Sequence, residues 1–119
     1  MGQRVCDPYQ SIERDYCLTR KCLAVLLEAK WPVTVQTKSA LVLRDIDLLR
    51  TSEEVEVGFS IATSDEKIRQ IFEPGASPIR ERINALKSFH SQGIKTFVMI
   101  APVLPGAEGL PDDLEDAVD

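Results

Sequence analysis

Residues 55–82 constrain the fold more tightly than any other stretch of the chain. Val55, Val57, Phe59 and Ile61 alternate with Glu56, Gly58, Ser60 and Ala62, the period-two pattern of a strand with one apolar face. Ser60 falls at the carboxyl end of that strand. Thr63 and Glu66 have capping-box spacing and predict a helix near 64–73 that buries Ile68, Ile71 and Phe72. The loop Glu73-Pro-Gly-Ala76 follows. Ser77 then reads as an N-cap with Pro78 at the first helical position, opening a helix near 78–91. Ile79, Ile83, Leu86 and Phe89 mark its apolar face, and Gly93 fits the position just past its end. A strand, two helices and a further strand at 96–101 make an α/β unit with parallel pairing.

The rest of the chain extends this unit. Asp7-Pro8 predicts a turn in which Asp7 bonds the backbone two residues on. Residues 12–16 read as one turn of helix. Thr19 reads as the N-cap of a helix through Lys30 that carries Cys22, Leu23, Leu26 and Leu27 and is stopped by Pro32. Val33–Lys38 is β-branched and alternating, hence a strand. Residues 44–50 read as a short helix with Ile46, Leu48 and Leu49. The predicted fold is α/β, with three parallel strands and crossover helices. With 119 residues there is room for one core.

Central parallel strands covered on both faces read as continuous apolar runs. Here two strands carry a small or polar second face, Thr34, Gln36 and Lys38 on one and Glu56, Gly58 and Ser60 on the other. Two arrangements fit. The polar face lines a barrel lumen with Lys38 and Ser60 at the chemically active carboxyl end, or it is an uncovered sheet face or a buried Lys38–Glu56 salt bridge.

The net charge of −5, without a basic cluster, argues against nucleic-acid binding through this segment alone. No apolar run approaches a bilayer span and no basic, apolar leader opens the chain, so cytoplasm is the expected location and no membrane partner is expected. Six of the last twelve residues are acidic, which reads as a solvated helix or tail over 107–119, outside a domain over 1–106. Cys6, Cys17 and Cys22 lack paired spacing and are expected to be free thiols.

Thr37-Lys38-Ser39, Arg44-Asp45, the Val55–Ile61 strand, Phe72-Glu-Pro-Gly75, Arg82 and Ile100-Ala-Pro102 occur in a telling order, preceded by Asp7-Pro-Tyr-Gln10, Glu13 and Leu18-Thr-Arg20. Together they resemble the carboxyl-terminal half of the radical S-adenosylmethionine (SAM) domain of spore photoproduct lyase-like proteins, often labelled DNA repair photolyases. The resemblance covers about residues 5–106 and implies a fragment of a partial (β/α) TIM-like barrel. In such enzymes the barrel holds a 4Fe–4S cluster and S-adenosylmethionine. By resemblance Lys38 and Ser60 lie near the methionine moiety, Cys6 and Asp7 approach the cofactor, and the Ala101 backbone lies by its adenine side. The Glu73-Pro-Gly75 loop is expected to be structural, and no catalytic residue is assigned.

The family's cluster needs a CxxxCxxC loop, which the Cys6, Cys17, Cys22 spacing does not supply. The expectation is a portion of a radical enzyme that binds neither cofactor tightly alone and is inactive without the cluster, with a substrate of the thymine-dimer DNA-damage type by analogy only. A non-catalytic scaffold of the same descent and an unrelated small α/β binding domain are the competing readings. Two open sheet edges favour association, either as a homodimer or with the missing amino-terminal part of the barrel. The contrasting expectation is a monomer whose edges are covered by residues 1–18 and 103–119.

Overall fold

Three parallel strands lie side by side in chain order, β1 (Val33–Thr37), β2 (Val55–Ser60) and β3 (Lys95–Met99). The computed structural model describes residues 7–61, 63, 65–100 and 118. The expected acidic helix or tail over 107–119 lies outside these, Val118 excepted, as do Cys6 and Ala101. The register pairs Val33 with Val55, Glu56 with Lys95 and Ser60 with Met99. Before β1 come α1 (Glu13–Tyr16) and α2 (Leu18–Glu28). A 3-10 helix (Ala40–Asp45) and α3 (Ile46–Leu49) join β1 to β2, and α4 (Glu66–Phe72) and α5 (Ile79–Ser91) join β2 to β3.

The alternation in the strands sets the layers. Val33, Val35, Val55, Val57, Phe59 and Ile61 are buried in one core with Leu23, Val42, Leu49, Ile83, Leu86 and Phe89. Each fully buried aliphatic or aromatic side chain contributes about 1.5–3 kcal/mol, so this single layer dominates stability. Thr34, Gln36, Glu56 and Lys95 alternate with these positions and are exposed. One face of the sheet is therefore packed, and the other is polar and largely open. Phe97 lies on that second face over Gly58, where an added Cβ would meet its ring at 2.3 Å, and Met99 follows it on the same face of β3. The sheet is thus an arc of the barrel type rather than a doubly wound layer.

Local signals were realised unevenly. The Asp7 turn forms, with the Tyr9 amide donating to Asp7 Oδ1 at 2.8 Å. α5 ends as expected: Gly93 has φ +80, and the Gly93 and Ile94 amides bond back to His90 and Phe89. α2 closes in the same way, earlier than expected. Lys30 takes a left-handed φ of 62, and the Lys30 and Trp31 amides bond to Leu27 and Leu26 before Pro32 is reached.

Three expected caps differ. Thr19 is not an N-cap: its hydroxyl donates to the Pro8 carbonyl, while the Glu13 carboxylate accepts the Thr19 and Arg20 amides. Thr63 does not cap α4. Asp65 does, accepting from the Lys67 and Ile68 amides, because its carboxylate reaches two amides that a more distant hydroxyl cannot. Ser77 turns its hydroxyl to the Ala40 amide, and Glu66 accepts the Ile79 amide in its place. The expected apolar faces shift as well. Ile71 and Phe72 are 72% and 60% exposed, and Arg69 is the buried residue of α4. Cys22 and Leu26 are exposed while Leu23 is buried.

An ionic network fixes the amino-terminal segment. Fully buried Asp45 accepts from Tyr9 Oη at 2.7 Å and from Arg20 and Arg44. Arg44 also reaches Glu13 Oε2 at 2.8 Å. Burial alone would raise the Asp45 carboxyl, but these hydrogen bonds outweigh it and hold it below the ordinary value. Burial and then Asp45 push the Tyr9 phenol upward. Asp45→Ala should destabilise the chain by about 2–4 kcal/mol, since it strands Tyr9 and two part-buried guanidinium groups. The sign of the pH effect follows from the lowered carboxyl: its stabilisation is complete above the unfolded carboxylate pKa of about 4 and is lost as pH falls through the folded value. Denaturant melts from neutral to acid pH should therefore show a shallower acid limb for Asp45→Asn than for the wild type.

Candidate functional site

The carboxyl ends of β1 and β2 come together through side chains that the loops deliver. At the end of β1, Asp7 Oδ1 accepts from Thr37 Oγ1 at 2.6 Å and Asp7 Oδ2 accepts from the Lys38 amide at 2.7 Å. The Lys38 carbonyl accepts the Ser77 amide at 2.9 Å. With its backbone held on both sides, Lys38 projects its ammonium to Glu73 Oε2 at 2.6 Å, and its side chain stays 44% exposed.

Ser60 ends β2. Its hydroxyl accepts from Gln36 Nε2 at 2.9 Å, across the open face of the sheet. Its carbonyl accepts from Arg82 at 2.6 Å, and the same guanidinium donates to the Ser77 carbonyl and to Glu73 Oε1 at 3.0 Å. The Arg82 side chain is only 1% exposed. A buried cation is tolerated only when paired and fully hydrogen-bonded, and here one carboxylate and two carbonyls meet that need. Lys38, Glu73, Arg82 and the Ser60 carbonyl form one continuous chain between the two strand ends.

Glu73 is the hub of this chain. Burial alone would raise its carboxyl, but the bonds from Lys38 and then Arg82 outweigh burial and leave it lowered and ionised. A second buried arginine, Arg69, steadies the same loop by donating to the Ala76 carbonyl at 2.9 Å and to Glu66. A cavity of about 220 Å³ opens beside it, lined by Asp7, Gln10, Lys38, Phe72, Glu73 and Gly75.

The structure brings Asp7, Lys38 and Ser60 to one end of the sheet. Cys6 and Ala101 lie outside the described residues. The Lys38–Glu56 salt bridge weighed from the sequence does not form, because Lys38 lies past the strand end and turns to Glu73. Sequence reasoning gave Glu73 a structural role, which its position fits, but missed it as the partner of Lys38. The available signal was Arg82, a charge within the apolar stripe of Ile79, Ile83 and Leu86, which demands a buried acidic partner.

Cys17 and Cys22, the cysteines among the described residues, do not make a cluster site. Cys17 sits at the left-handed bend between α1 and α2, and Cys22 is exposed on α2. Among the described residues no group of three or more His, Cys, Asp or Glu side chains is placed to hold a metal ion. The described residues thus offer no ligand set for a 4Fe–4S cluster, and Lys38 and Ser60 place an ammonium and a hydroxyl at adjacent strand ends. Among the same residues no helix is long and apolar enough to cross a membrane.

Two substitutions separate the roles of charge and shape at Glu73. Glu73→Ala should cost about 3–5 kcal/mol, the range for removing one partner of a buried ion pair. Glu73→Gln keeps an acceptor for Arg82 and should cost clearly less. Equal thermal stability of the alanine variant and the wild type would show that the clamp contributes nothing.

Comparison with known proteins agrees with this architecture. The family model described as the radical SAM superfamily matches residues 7–118. The chain is 37% identical over 101 residues to an uncharacterised protein of Methanocaldococcus jannaschii, covering 85% of this chain and 39% of that protein. It is 37% identical over 113 residues to an uncharacterised protein of Acidianus two-tailed virus, covering 92% of this chain and 37% of the relative. A radical SAM Nalpha-GlyT isomerase of Pseudomonas phage M6 is 26% identical over 100 residues, covering 84% of this chain and 21% of that protein. The chain thus spans about two-fifths or less of the length of these relatives. No solved structure gives a significant match. A parallel three-stranded arc, polar side chains at its carboxyl end and a family match over nearly the whole chain lead to one assignment: the chain belongs to the radical SAM superfamily.

Proposed function

We propose that the chain forms the S-adenosylmethionine-binding side of a radical SAM barrel of the spore photoproduct lyase-like kind. The observation that carries this reading is the meeting of Lys38 and Ser60 at adjacent strand ends, linked by the Glu73–Arg82 clamp. An ammonium has three donors. Glu73 takes one from Lys38, leaving donors for a ligand carboxylate at the exposed side of the group. The Ser60 hydroxyl accepts from Gln36 and keeps its own proton to donate. Asp7 acts through the backbone, holding Lys38 in place. Cys6 and the Ala101 backbone complete the proposed contact set.

With its cluster, S-adenosylmethionine supplies the radical that abstracts hydrogen from carbon; the protein binds and orients it. The chain's own three cysteines lack the cluster spacing, so this chain by itself is inactive and the thiolates come from further polypeptide. The substrate class, thymine-dimer-type damage in DNA, rests on the family resemblance. With a net charge of −5, contacts to DNA phosphates belong to other parts of the complete enzyme. Cytoplasm is the proposed location.

Titration calorimetry tests the site. Wild type should bind S-adenosylmethionine weakly, and Lys38→Ala should weaken it at least about tenfold, the loss expected for a charged hydrogen bond. Equal, tight binding by both proteins would refute the assignment. Anaerobic treatment with iron and sulfide should leave no cluster after desalting, and recovery of about four of each per chain would contradict the cysteine argument.

A further inference from the structure

We propose that the middle of the open sheet face is a stacking floor for a planar ring of the substrate, with the Phe97 ring beneath it and the Gln36 carboxamide at its edge. The ligand class is a flat heteroaromatic ring that carries a hydrogen-bond donor beside an acceptor, the chemistry of a nucleobase. The inference rests on the reading of this face as the inner side of a radical SAM barrel.

Parallel pairing sets the side chains of this face in rows. The register puts Gln36 opposite Gly58 and Gly58 opposite Phe97. The next row toward the carboxyl ends pairs Ser60 with Met99, and the row toward the amino ends holds Thr34, Glu56 and Lys95. Neighbouring strands lie about 4.8 Å apart and successive rows about 6.6 Å apart. The middle row is thus the one apolar step between two polar ends of β1 and β2.

A Cβ added at Gly58 would fall against Cδ2, Cε2 and Cζ of Phe97 at nearly equal distances. Near-equal approach to three adjacent ring carbons places that point over the face of the ring, not at its edge. The ring therefore rests face-down on the Gly58 backbone and reaches across β2 toward Gln36. Glycine weakens a strand interior and marks a close approach; here any larger residue would lift the ring off the sheet. Covering a strand glycine with an aromatic ring supports the sheet, which accounts for the lower face of Phe97. Its upper face serves no packing in the buried core, which lies on the other side of the sheet. Phe97 is half-buried, and its accessible side is the one turned away from Gly58.

Gln36 supplies the edge. Its Nε2 donates to Ser60 Oγ at 2.9 Å, which fixes the plane of the carboxamide. A primary amide has two donors and a carbonyl acceptor. The second N–H and Oε1 have no other partner among the described residues, and the side chain is exposed. A donor beside an acceptor on one rigid plane matches the edge of a base, as in carboxamide readout of adenine. The proposed cofactor contacts at Lys38 and Ser60 lie one row nearer the carboxyl ends. The ring received by the deeper row is therefore the substrate's.

The test titrates the 119-residue chain with nucleosides and follows the Phe97 ring protons, the Met99 methyl and the Gln36 side-chain amide by nuclear magnetic resonance. Thymidine should give saturable shifts at all three groups. Dihydrothymidine keeps the hydrogen-bonding edge but loses the flat ring, and should bind at least about fivefold more weakly, the loss expected for one base–aromatic stack. Phe97→Leu keeps an apolar cover over Gly58 and should lose the same factor for thymidine. Gln36→Leu alters an exposed position, so it reports on the edge even if the Phe97 variant fails to fold, and should also weaken thymidine. Three outcomes overturn the proposal: no saturable shift at tens of millimolar thymidine, equal binding of thymidine and its dihydro form, or tighter binding of methylthioadenosine than of thymidine at this row, which would assign the floor to the cofactor's adenine. The cofactor reading fails at Lys38 in the calorimetric titration and this one fails at the Phe97 ring, so the two failures are distinguishable.

Discussion

The Arg82 guanidinium is enclosed by protein and donates to Glu73, to the Ser60 carbonyl and to the Ser77 carbonyl. Its burial is costly unless each of these acceptors stays in place. The end of β2, the loop after α4 and the start of α5 therefore move as one unit. Lys38 joins that unit through the second oxygen of Glu73, and the Ser77 amide joins it through the Lys38 carbonyl. Two strand ends that hydrogen-bonded pairing holds only up to Thr37 and Phe59 are thus continued as a single rigid rim.

A second network works on the same rim from the other side. Asp45 gathers Tyr9, Arg20 and Arg44, and so anchors the segment that carries Asp7. Asp7 in turn grips Thr37 and Lys38. The solvent-exposed pair of Arg20 with Asp47 adds little, about 0–1 kcal/mol for a pair of this type. It also lies to one side of this line of force. Preorganisation of this kind suits a site that must hold a charged amino-acid group without rearranging.

Elements governed by periodicity were legible in the sequence. The three strands, the buried face of α5 and the glycine closure of that helix follow from residues a few positions apart. Caps were less legible because several acceptors compete near each helix start: Asp65 outreached Thr63, and Glu66 served Ile79 when Ser77 turned to Ala40. The exposure of Ile71 and Phe72 reflects the place of α4, a short helix whose polar Arg69 faces inward to serve the loop. The Lys38–Glu73 contact was the least legible feature, since it joins residues that only the crossover brings together. The polar second face of β1 and β2, which the sequence left as either a barrel lumen or an uncovered sheet face, is exposed at Thr34, Gln36 and Glu56.

The central claim is that this rim, built from Lys38, Ser60 and the Glu73–Arg82 clamp, receives the amino-acid end of S-adenosylmethionine. A crystal structure of the chain grown with S-adenosylmethionine tests it most directly. The account predicts the ligand carboxylate within hydrogen-bonding distance of Lys38 Nζ, with Glu73 still bound to Arg82. A ligand seated away from both strand ends, with Lys38 unchanged, would contradict it.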